Sequence, residues 1–334
     1  MSLVSNCIKT RNKDNNPIWI MRQAGRYLPE FRKIREKNPD FINLCLNKEL
    51  VKEITLQPIK RFNLDAAIIF SDILMVPFGL NQTVEFKKNY GPILGDFDLD
   101  KTLKVEENDF ECSLSPVYKA MKNISEDKSL GNKDIIGFVG APWTLLVYIL
   151  NKSSPKNGID HKIIEDEKYI NQILNILIKF LKLHIKNQIN NGATVIQIFD
   201  SWAGLVEDKG LENLVYSPTH ELTKYTKTFN VPVICFPRNI KNYKNFVANV
   251  KPDAVNIDYS VNPAEIVDNI GIPIQGGMDP KILLTDRENL KKEAEKYLNV
   301  FKDHPYIFNL GHGILPETKI AMVEELIKIV RDFK

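Results

Sequence analysis

Arg22 and Arg26 stand four residues apart around Gly25 in the segment Pro17-Ile18-Trp19-Ile20-Met21-Arg22-Gln23-Ala24-Gly25-Arg26-Tyr27-Leu28-Pro29-Glu30-Phe31, and Arg35 follows. Guanidinium forks grip carboxylates through two parallel N–H bonds, which lysine cannot match. An arbitrary arginine pair is more often a solvated helix face, but Gly25 and Pro29 argue against a regular exposed helix. The neighbours Trp19, Met21, Tyr27 and Phe31 place the segment partly in a core. It reads as an element that binds carboxylates.

Four other polar residues fall just past runs that should be strands: Asp72 after Ala66–Phe70, Tyr148 in the turn region after Ile135–Val139, Ser201 after Thr194–Phe199, and His312 after Tyr306–Leu310. Further apolar, β-branched runs lie at Val231–Phe236, Ala254–Ile257 and Ile272–Gln275, which makes seven strand candidates. Between them, Lys48–Arg61, Tyr169–Asn190, Pro263–Ile270, Asp286–Phe301 and Glu317–Phe333 carry apolar residues at three- and four-residue intervals, as crossover helices should. Repeated βα units imply a parallel sheet, either open or closed. No G-x-G-x-x-G follows the first strand and no Pro/Gly/Ser-rich spacer divides the chain, so we expect one α/β domain, a (β/α)₈ TIM barrel spanning residues 1–334. Ile18–Met21 is a candidate for its eighth strand. The stretch from Gln82 to Gly131 reads as a polar insertion of weak periodicity that shapes one wall of a cleft. In a barrel the strand ends converge on one mouth, so Asp72, Tyr148, Ser201 and His312 should meet there.

With 334 residues, 43% hydrophobic and 26% charged, the chain has the balance of a globular enzyme with a large core. A net charge of +3 from 45 basic and 42 acidic residues gives no field for general nucleic-acid binding. Cys7, Cys45, Cys112 and Cys235 form no metal-ligand spacing and read as reduced thiols. The N-terminus has no signal-type apolar run, and the apolar stretch near 164–191 is broken by Lys179, Lys182 and Lys186. We therefore expect a cytoplasmic protein with no membrane and no nucleic-acid partner.

The string Trp19-Ile20-Met21-Arg22-Gln23-Ala24-Gly25-Arg26-Tyr27-Leu28-Pro29-Glu30 resembles the arginine-rich N-terminal signature of the uroporphyrinogen decarboxylase family. Five further segments resemble that family in order: Phe70-Ser71-Asp72-Ile73-Leu74, Gly137-Phe138-Val139-Gly140-Ala141-Pro142-Trp143-Thr144-Leu145, Phe199-Asp200-Ser201-Trp202-Ala203-Gly204, Gln275-Gly276-Gly277-Met278-Asp279-Pro280 and Asn309-Leu310-Gly311-His312-Gly313-Ile314. The resemblance implies a distorted barrel, a homodimer, and conversion of uroporphyrinogen to coproporphyrinogen in haem biosynthesis without metal or organic cofactor. It also implies roles. Arg22, Arg26, the backbone of Gln23, Ala24 and Gly25, and nearby Arg35 would bind substrate carboxylates. Asp72 would face the pyrrole N–H groups, and Tyr148, Ser201 and His312 would hold or protonate carboxylates and intermediates. Two places depart from the family pattern: Gly276-Gly277 replaces a glycine–asparagine pair, and Phe236-Pro237-Arg238-Asn239 lacks a glycine common in that loop.

An acetate on a pyrrole loses carbon dioxide once the adjacent ring carbon is protonated, because the cationic ring then accepts the electrons. A carboxylate beside the nitrogens stabilises that cation more than the neutral ring. The arginines should keep Asp72 ionised. Plainer roles compete: Asp72 as a helix cap, Ser201 as a strand terminator, Tyr148 as a core aromatic, His312 as a strand cap. His161, His184, His220 and His304 have no comparable context and read as structural. Two rival functions also compete: a zinc-dependent methyltransferase, which needs a His/Cys ligand set near the mouth, and a tetrapyrrole carrier, in which Asp72 would add little.

Overall fold

Seven short parallel strands pair in the order of the chain and curl into a barrel. The structure, a computed structural model, describes residues 2–87, 90–155, 158–159 and 165–333; His161 lies outside them. In chain order the strands are β1 (Ala66–Ile68), β2 (Val84–Lys87), β3 (Gly91–Leu94), β4 (Asp134–Gly140), β5 (Val195–Asp200), β6 (Val233–Pro237), β7 (Ala254–Ile257), β8 (Ile274–Gly276) and β9 (Tyr306–Ile307). The parallel sheet runs β1-β4-β5-β6-β7-β8-β9, while β2 and β3 form a separate antiparallel hairpin. Helices Lys48–Arg61, Glu167–Asn190, Arg287–Val300 and Ile320–Asp332 form much of the outer layer, close to the spans expected from the apolar spacing.

The eighth place is taken by the segment from Pro17, as the sequence suggested, but through single bridges instead of a strand. Ile18 pairs in parallel with Phe308, Phe308 N–H donates to Pro17 O (2.7 Å), and Asp65 N–H donates to Ile18 O (2.9 Å). The segment thus stands between β9 and β1 and closes the ring.

The strands are buried along almost their whole length, because one face lies inside the ring and the other is covered by the helices. Trp19, Ile68, Ile136, Val195, Ile234 and Ile307 form an inner cluster, and Ile196, Ile198 and Ile257 belong to the larger outer one. Polar side chains in the interior satisfy one another: Trp19 Nε1 donates to Gln275 Oε1 (2.9 Å), and Gln275 Nε2 donates to Asn256 Oδ1 (2.6 Å). The first helix, Leu3–Thr10, packs Val4, Cys7 and Ile8 against this inner cluster, and its Ser5 N–H donates to Asp134 Oδ2 (3.0 Å) at the start of β4. It stops the N-terminal end of the barrel and leaves the strand C-termini as the mouth.

The stretch Gln82–Gly131 corrects the expectation of a periodicity-poor cleft wall. It holds the hairpin and a 19-residue helix, Glu107–Ser125, that packs on Lys48–Arg61 and Glu167–Asn190 in the outer layer. Phe110, Leu114, Val117, Tyr118, Met121 and Ile124 recur at helical intervals and are buried. Pro116 and the many polar residues around them hid that stripe in the sequence. This is the crossover helix between β1 and β4.

Asp65 joins the closing segment to the last helix. Its Oδ2 accepts Ile18 N–H (2.7 Å), and its Oδ1 accepts Arg331 Nη2 (2.7 Å), with the carboxylate side chain only 8% exposed. Removing one partner of such a buried set leaves the others unpaired. Asp65→Ala should destabilise the protein by about 2–4 kcal/mol in urea unfolding, and Asp65→Asn, which keeps an acceptor for Ile18, by clearly less. Equal stability of Asp65→Ala and the unsubstituted protein would show that the closure does not depend on this carboxylate.

Candidate active site

The closing segment turns sharply into the mouth at Arg22, whose φ of +64° lies in the left-handed region that non-glycine residues seldom adopt. Three bonds hold it there: Met21 N–H donates to Asn309 Oδ1 (2.9 Å), Ile314 N–H to Met21 O (2.9 Å), and Gln23 N–H to Ile20 O (2.8 Å). The Arg22 stem lies directly over Gly313, where any Cβ would stand 2.3 Å from Arg22 Cδ and 2.9 Å from Nε. Gly313 must therefore be glycine for Arg22 to cross the β9 loop. At Gly25 a Cβ would sit 2.8 Å from Arg22 O, so the turn itself needs that glycine.

Gln23 is fully buried and spends both ends on structure, Nε2 donating to Ala66 O (2.9 Å) and Oε1 accepting Ile20 N–H (3.0 Å). Its own N–H is also committed, so only the N–H groups of Ala24 and Gly25 in the triplet lack an acceptor among the described residues. Arg22 and Arg26 are exposed to the mouth and make no ion pair among the described residues. Burial of its surroundings lowers Arg22 from its ordinary value, with Asp72 and Tyr148 pulling it back up. It remains a cation. Arg35 is placed differently: it reaches Asn38 O and lies 5.5 Å over the Phe41 ring, one aromatic contact behind Phe70. Its charge and that of Asp72 both bear on the buried Cys45, which places Arg35 behind the β1 side of the mouth.

Asp72 follows β1 in a turn whose geometry its own side chain fixes, Oδ1 accepting Leu74 N–H (2.9 Å). Capping occupies one oxygen; Oδ2 has no hydrogen bond from the described residues. Burial pushes the Asp72 carboxyl up to about 6, against the pull of the Leu74 N–H and of Arg22. The expectation that the arginines settle its ionisation is thus corrected in degree, because desolvation outweighs the nearby guanidinium. Asp72 is still mainly ionised at pH 7.

Tyr148 lies on the helix Pro142–Asn151 and packs edge-on against Trp202, with ring centroids 5.9 Å apart. Burial, then Asp72, raises its hydroxyl above the ordinary range, so it is a donor at neutral pH. That helix is tied to the loop after β5 by Thr144 Oγ1 donating to Asp200 Oδ1 (2.7 Å) and by Trp143 Nε1 donating to Trp202 O (2.9 Å). Burial pushes Asp200 up to about 7. Ser201 stands between these anchors, half-buried, and its hydroxyl takes no hydrogen bond among the described residues, so it does not cap its strand.

His312 Nδ1 accepts Gly313 N–H (2.7 Å), which puts the proton of the neutral ring on Nε2. Burial, then Arg22 and Arg238, push it down to about 4, so in the open mouth it is a neutral donor. The other described histidines are bound to structure: His184 to Tyr118 Oη (2.9 Å), His220 to Val250 O (3.1 Å) and His304 to Ile272 O (2.9 Å).

Arg22, Asp72, Tyr148 and His312 therefore meet at one mouth, with Ser201 beside them through Trp202. Beneath lies an aromatic layer that sequence reasoning missed, in which Phe138 stands 5.6 Å from Phe199 and Phe199 6.3 Å from Phe236, edge to face. Each of these residues ends or nearly ends a strand on its inward face, which the period-2 alternation could have flagged. The two departures from the family pattern also resolve. Gly276 and Gly277 have φ of +81° and +106°, and a Cβ on Gly277 would stand 2.5 Å from Tyr297. Asn239 supplies a left-handed φ of +58° in the glycine-poor loop, a conformation asparagine tolerates. No three His, Cys, Asp or Glu side chains of the described residues are grouped to hold a metal ion. No helix among them is long and apolar enough to cross a membrane.

Among solved structures, the fold is similar to a methyltransferase from Methanosarcina mazei, with a TM-score of 0.79, 17% identity and coverage of 99% of this chain and 97% of that one; at that identity the likeness speaks for the fold alone. In sequence, the chain is 38% identical to the uroporphyrinogen decarboxylase of Rickettsia bellii across 100% of this chain and 99% of the relative. It is 39% identical to that of Rickettsia felis across 99% and 97%. The family model for uroporphyrinogen decarboxylase matches residues 1–333. By that match and those relatives, the chain belongs to the uroporphyrinogen decarboxylase family.

Proposed function

We propose that the protein decarboxylates the four acetate side chains of uroporphyrinogen to give coproporphyrinogen and carbon dioxide, acting as a carboxy-lyase of porphyrin biosynthesis. The observation that carries this reading is Asp72, a desolvated carboxylate with one oxygen free of hydrogen bonds from the described residues, in the mouth where Arg22 and Arg26 make no ion pair among those residues. In the proposed reaction Arg22 and Arg26, with the N–H groups of Ala24 and Gly25, take peripheral carboxylates. Asp72 faces the pyrrole nitrogens. Tyr148, Ser201 and His312 donate hydrogen bonds to carboxylates near the reacting ring, and Phe138 and Phe199 support its apolar faces.

Protonation of the pyrrole carbon next to the acetate makes the ring cationic; the bond to the carboxylate then breaks into the ring and carbon dioxide leaves. The exocyclic carbon takes a proton and becomes a methyl group, and the proton first added to the ring carbon leaves, which restores the neutral pyrrole; the net change is one proton taken up for each carbon dioxide released. Because the ring is the electron sink, this route asks for no cofactor. Asp72 lowers the barrier to the extent that it stabilises the cation more than the neutral ring. A carrier that only bound the polyanion would gain nothing from a carboxylate there. A homodimer and a cytosolic location rest on the resemblance, and gel filtration tests the former.

The decisive experiment is incubation with uroporphyrinogen and separation of the products by carboxyl number. Asp72→Asn should lower kcat by roughly a hundred- to a thousand-fold with little change in melting temperature, and Asp72→Glu should recover only part. A folded Asp72→Asn protein with near-normal turnover would leave the residue as a turn cap.

Because the Asp72 carboxyl titrates at about 6, its protonated form should prevail below that pH and remove the counter-charge to the ring cation. The kcat/KM profile should fall on the acid side with an apparent pKa near 6, and Asp72→Asn should lack that limb. Arg22→Lys should weaken kcat/KM although the charge stays, since a fork becomes a point contact; unaltered kinetics would mean the fork binds nothing. Exhaustive chelation should leave the rate unchanged, whereas loss restored by zinc alone would favour a metal-dependent reaction.

A further inference from the structure

We infer that Arg238 is a further substrate-binding residue, taking one peripheral carboxylate of the tetrapyrrole from the wall of the mouth that faces the Arg22 segment. The inference rests on the proposed function and adds a contact to it.

The placement follows from topology. Counting the closing segment as the first place in the ring, then β1, β4, β5, β6, β7, β8 and β9, β6 occupies the fifth place of eight and stands across the barrel from Pro17–Met21. Arg238 directly follows Pro237, the last residue of β6. Its charge bears on both Arg22 and His312, so the side chain reaches the same mouth.

Its backbone is held on both sides. Arg238 N–H donates to Asp200 O (3.0 Å), and Arg238 O accepts Gly204 N–H (3.1 Å). Gly204 is packed so closely that a Cβ would lie 2.5 Å from Asn239 O. The left-handed Asn239 donates its own N–H to Asp258 Oδ2 (2.7 Å). A loop pinned by three bonds aims the side chain without further ordering.

The guanidinium itself is unsatisfied. Nε is buried and has no partner, and no carboxylate of the described residues lies within ion-pair reach. Neither acid bonded to this loop, Asp258 or Asp200, makes an ion pair with Arg238. Asp258 accepts Asn239 N–H and Tyr243 Oη (3.0 Å) at Oδ2 and Ser260 N–H (2.9 Å) at Oδ1. Asp200 turns Oδ1 to Thr144 and keeps Oδ2 buried without a partner, with burial pushing the carboxyl up to about 7, so it is a poor counter-ion for Arg238. A buried guanidinium N–H without an acceptor is unfavourable, and a carboxylate docked side-on across Nε and Nη would satisfy it.

The chemistry of the ligand fits. Uroporphyrinogen carries carboxylates all around its rim, so anchors on one side only would leave the ring free to tilt away from Asp72. An arginine on the facing wall holds the far edge. Because that contact is at the rim and not at the reacting carbon, it should stabilise ground and transition states alike and act mainly on KM.

The test is Arg238→Gln and Arg238→Lys in the full-length protein, with circular dichroism and melting to confirm folding. Steady-state kinetics on uroporphyrinogen is paired with fluorescence titration of uroporphyrin, the oxidised ring that cannot be decarboxylated. Arg238→Gln should raise KM and weaken uroporphyrin binding by about ten- to a hundredfold with kcat changed less than threefold, as loss of a charged hydrogen-bond pair predicts. Arg238→Lys should fall between, and it also supplies the test if the glutamine variant fails to fold. Unchanged KM and unchanged uroporphyrin binding in a folded variant, or a fall in kcat alone, would overturn the inference. Inability of the unsubstituted protein to decarboxylate uroporphyrinogen would instead overturn the proposed function.

Discussion

Closure of the barrel by the segment from Pro17 to Met21 is the constraint on which the site depends. A regular eighth strand would have carried Arg22 along the sheet with an extended φ. Single bridges to Phe308 and Asp65 leave the chain free to turn, and the left-handed Arg22 then points into the mouth instead of along the wall. That conformation is unfavourable for a non-glycine residue, so it needs support from several directions. Asn309, Ile314 and the absent side chain of Gly313 supply it. Strand closure and arginine placement are therefore one problem solved by one set of residues.

The electrostatics of the mouth follow from unequal burial. Arginines at the rim keep surface open to the cavity and stay charged with no internal partner. Asp72 lies deeper, where desolvation outweighs Arg22 and lifts its carboxyl to about 6. The same environment holds His312 neutral and Tyr148 protonated. The result is a mouth with cations at the edge, neutral donors within, and Asp72 as a desolvated carboxylate beside Arg22. In the proposed reaction, substrate carboxylates neutralise the edge while the anion meets the charge that develops on the ring.

Much of this was legible in the sequence because continuous apolar, β-branched runs and helical stripes report burial directly. All seven strand candidates form, and Lys48–Arg61 is a helix over the span expected. Boundaries slipped where a strand leaves its neighbour: the run Ala66–Phe70 pairs only as far as Ile68, since Phe70 N–H turns to Thr55 Oγ1. Helix Glu107–Ser125 was hidden because Pro116 and a polar exposed face diluted its stripe. Asp72, Tyr148, Ser201 and His312 were singled out because each was read as lying just past a strand, although Tyr148 sits on the helix Pro142–Asn151 and not in a turn. Phe138, Phe199 and Arg238 were not, since their roles depend on which strands face each other across the ring, a property of closure that no local pattern records.

Closure also explains how one rim could bind a polyanion without suppressing a cation at its centre. In the proposed complex each rim arginine is paired with a substrate carboxylate, so the positive potential the rim adds at the middle is small. A carboxylate in contact with the pyrrole nitrogens acts at hydrogen-bond distance in a poorly solvated site, where the interaction is least screened. Distance therefore separates the two tasks. Moving a rim arginine inward, or Asp72 outward, would blur that separation, which is why the glycines at 25, 204 and 313 matter: each lets backbone or an arginine stem pass where a side chain would force the loops apart.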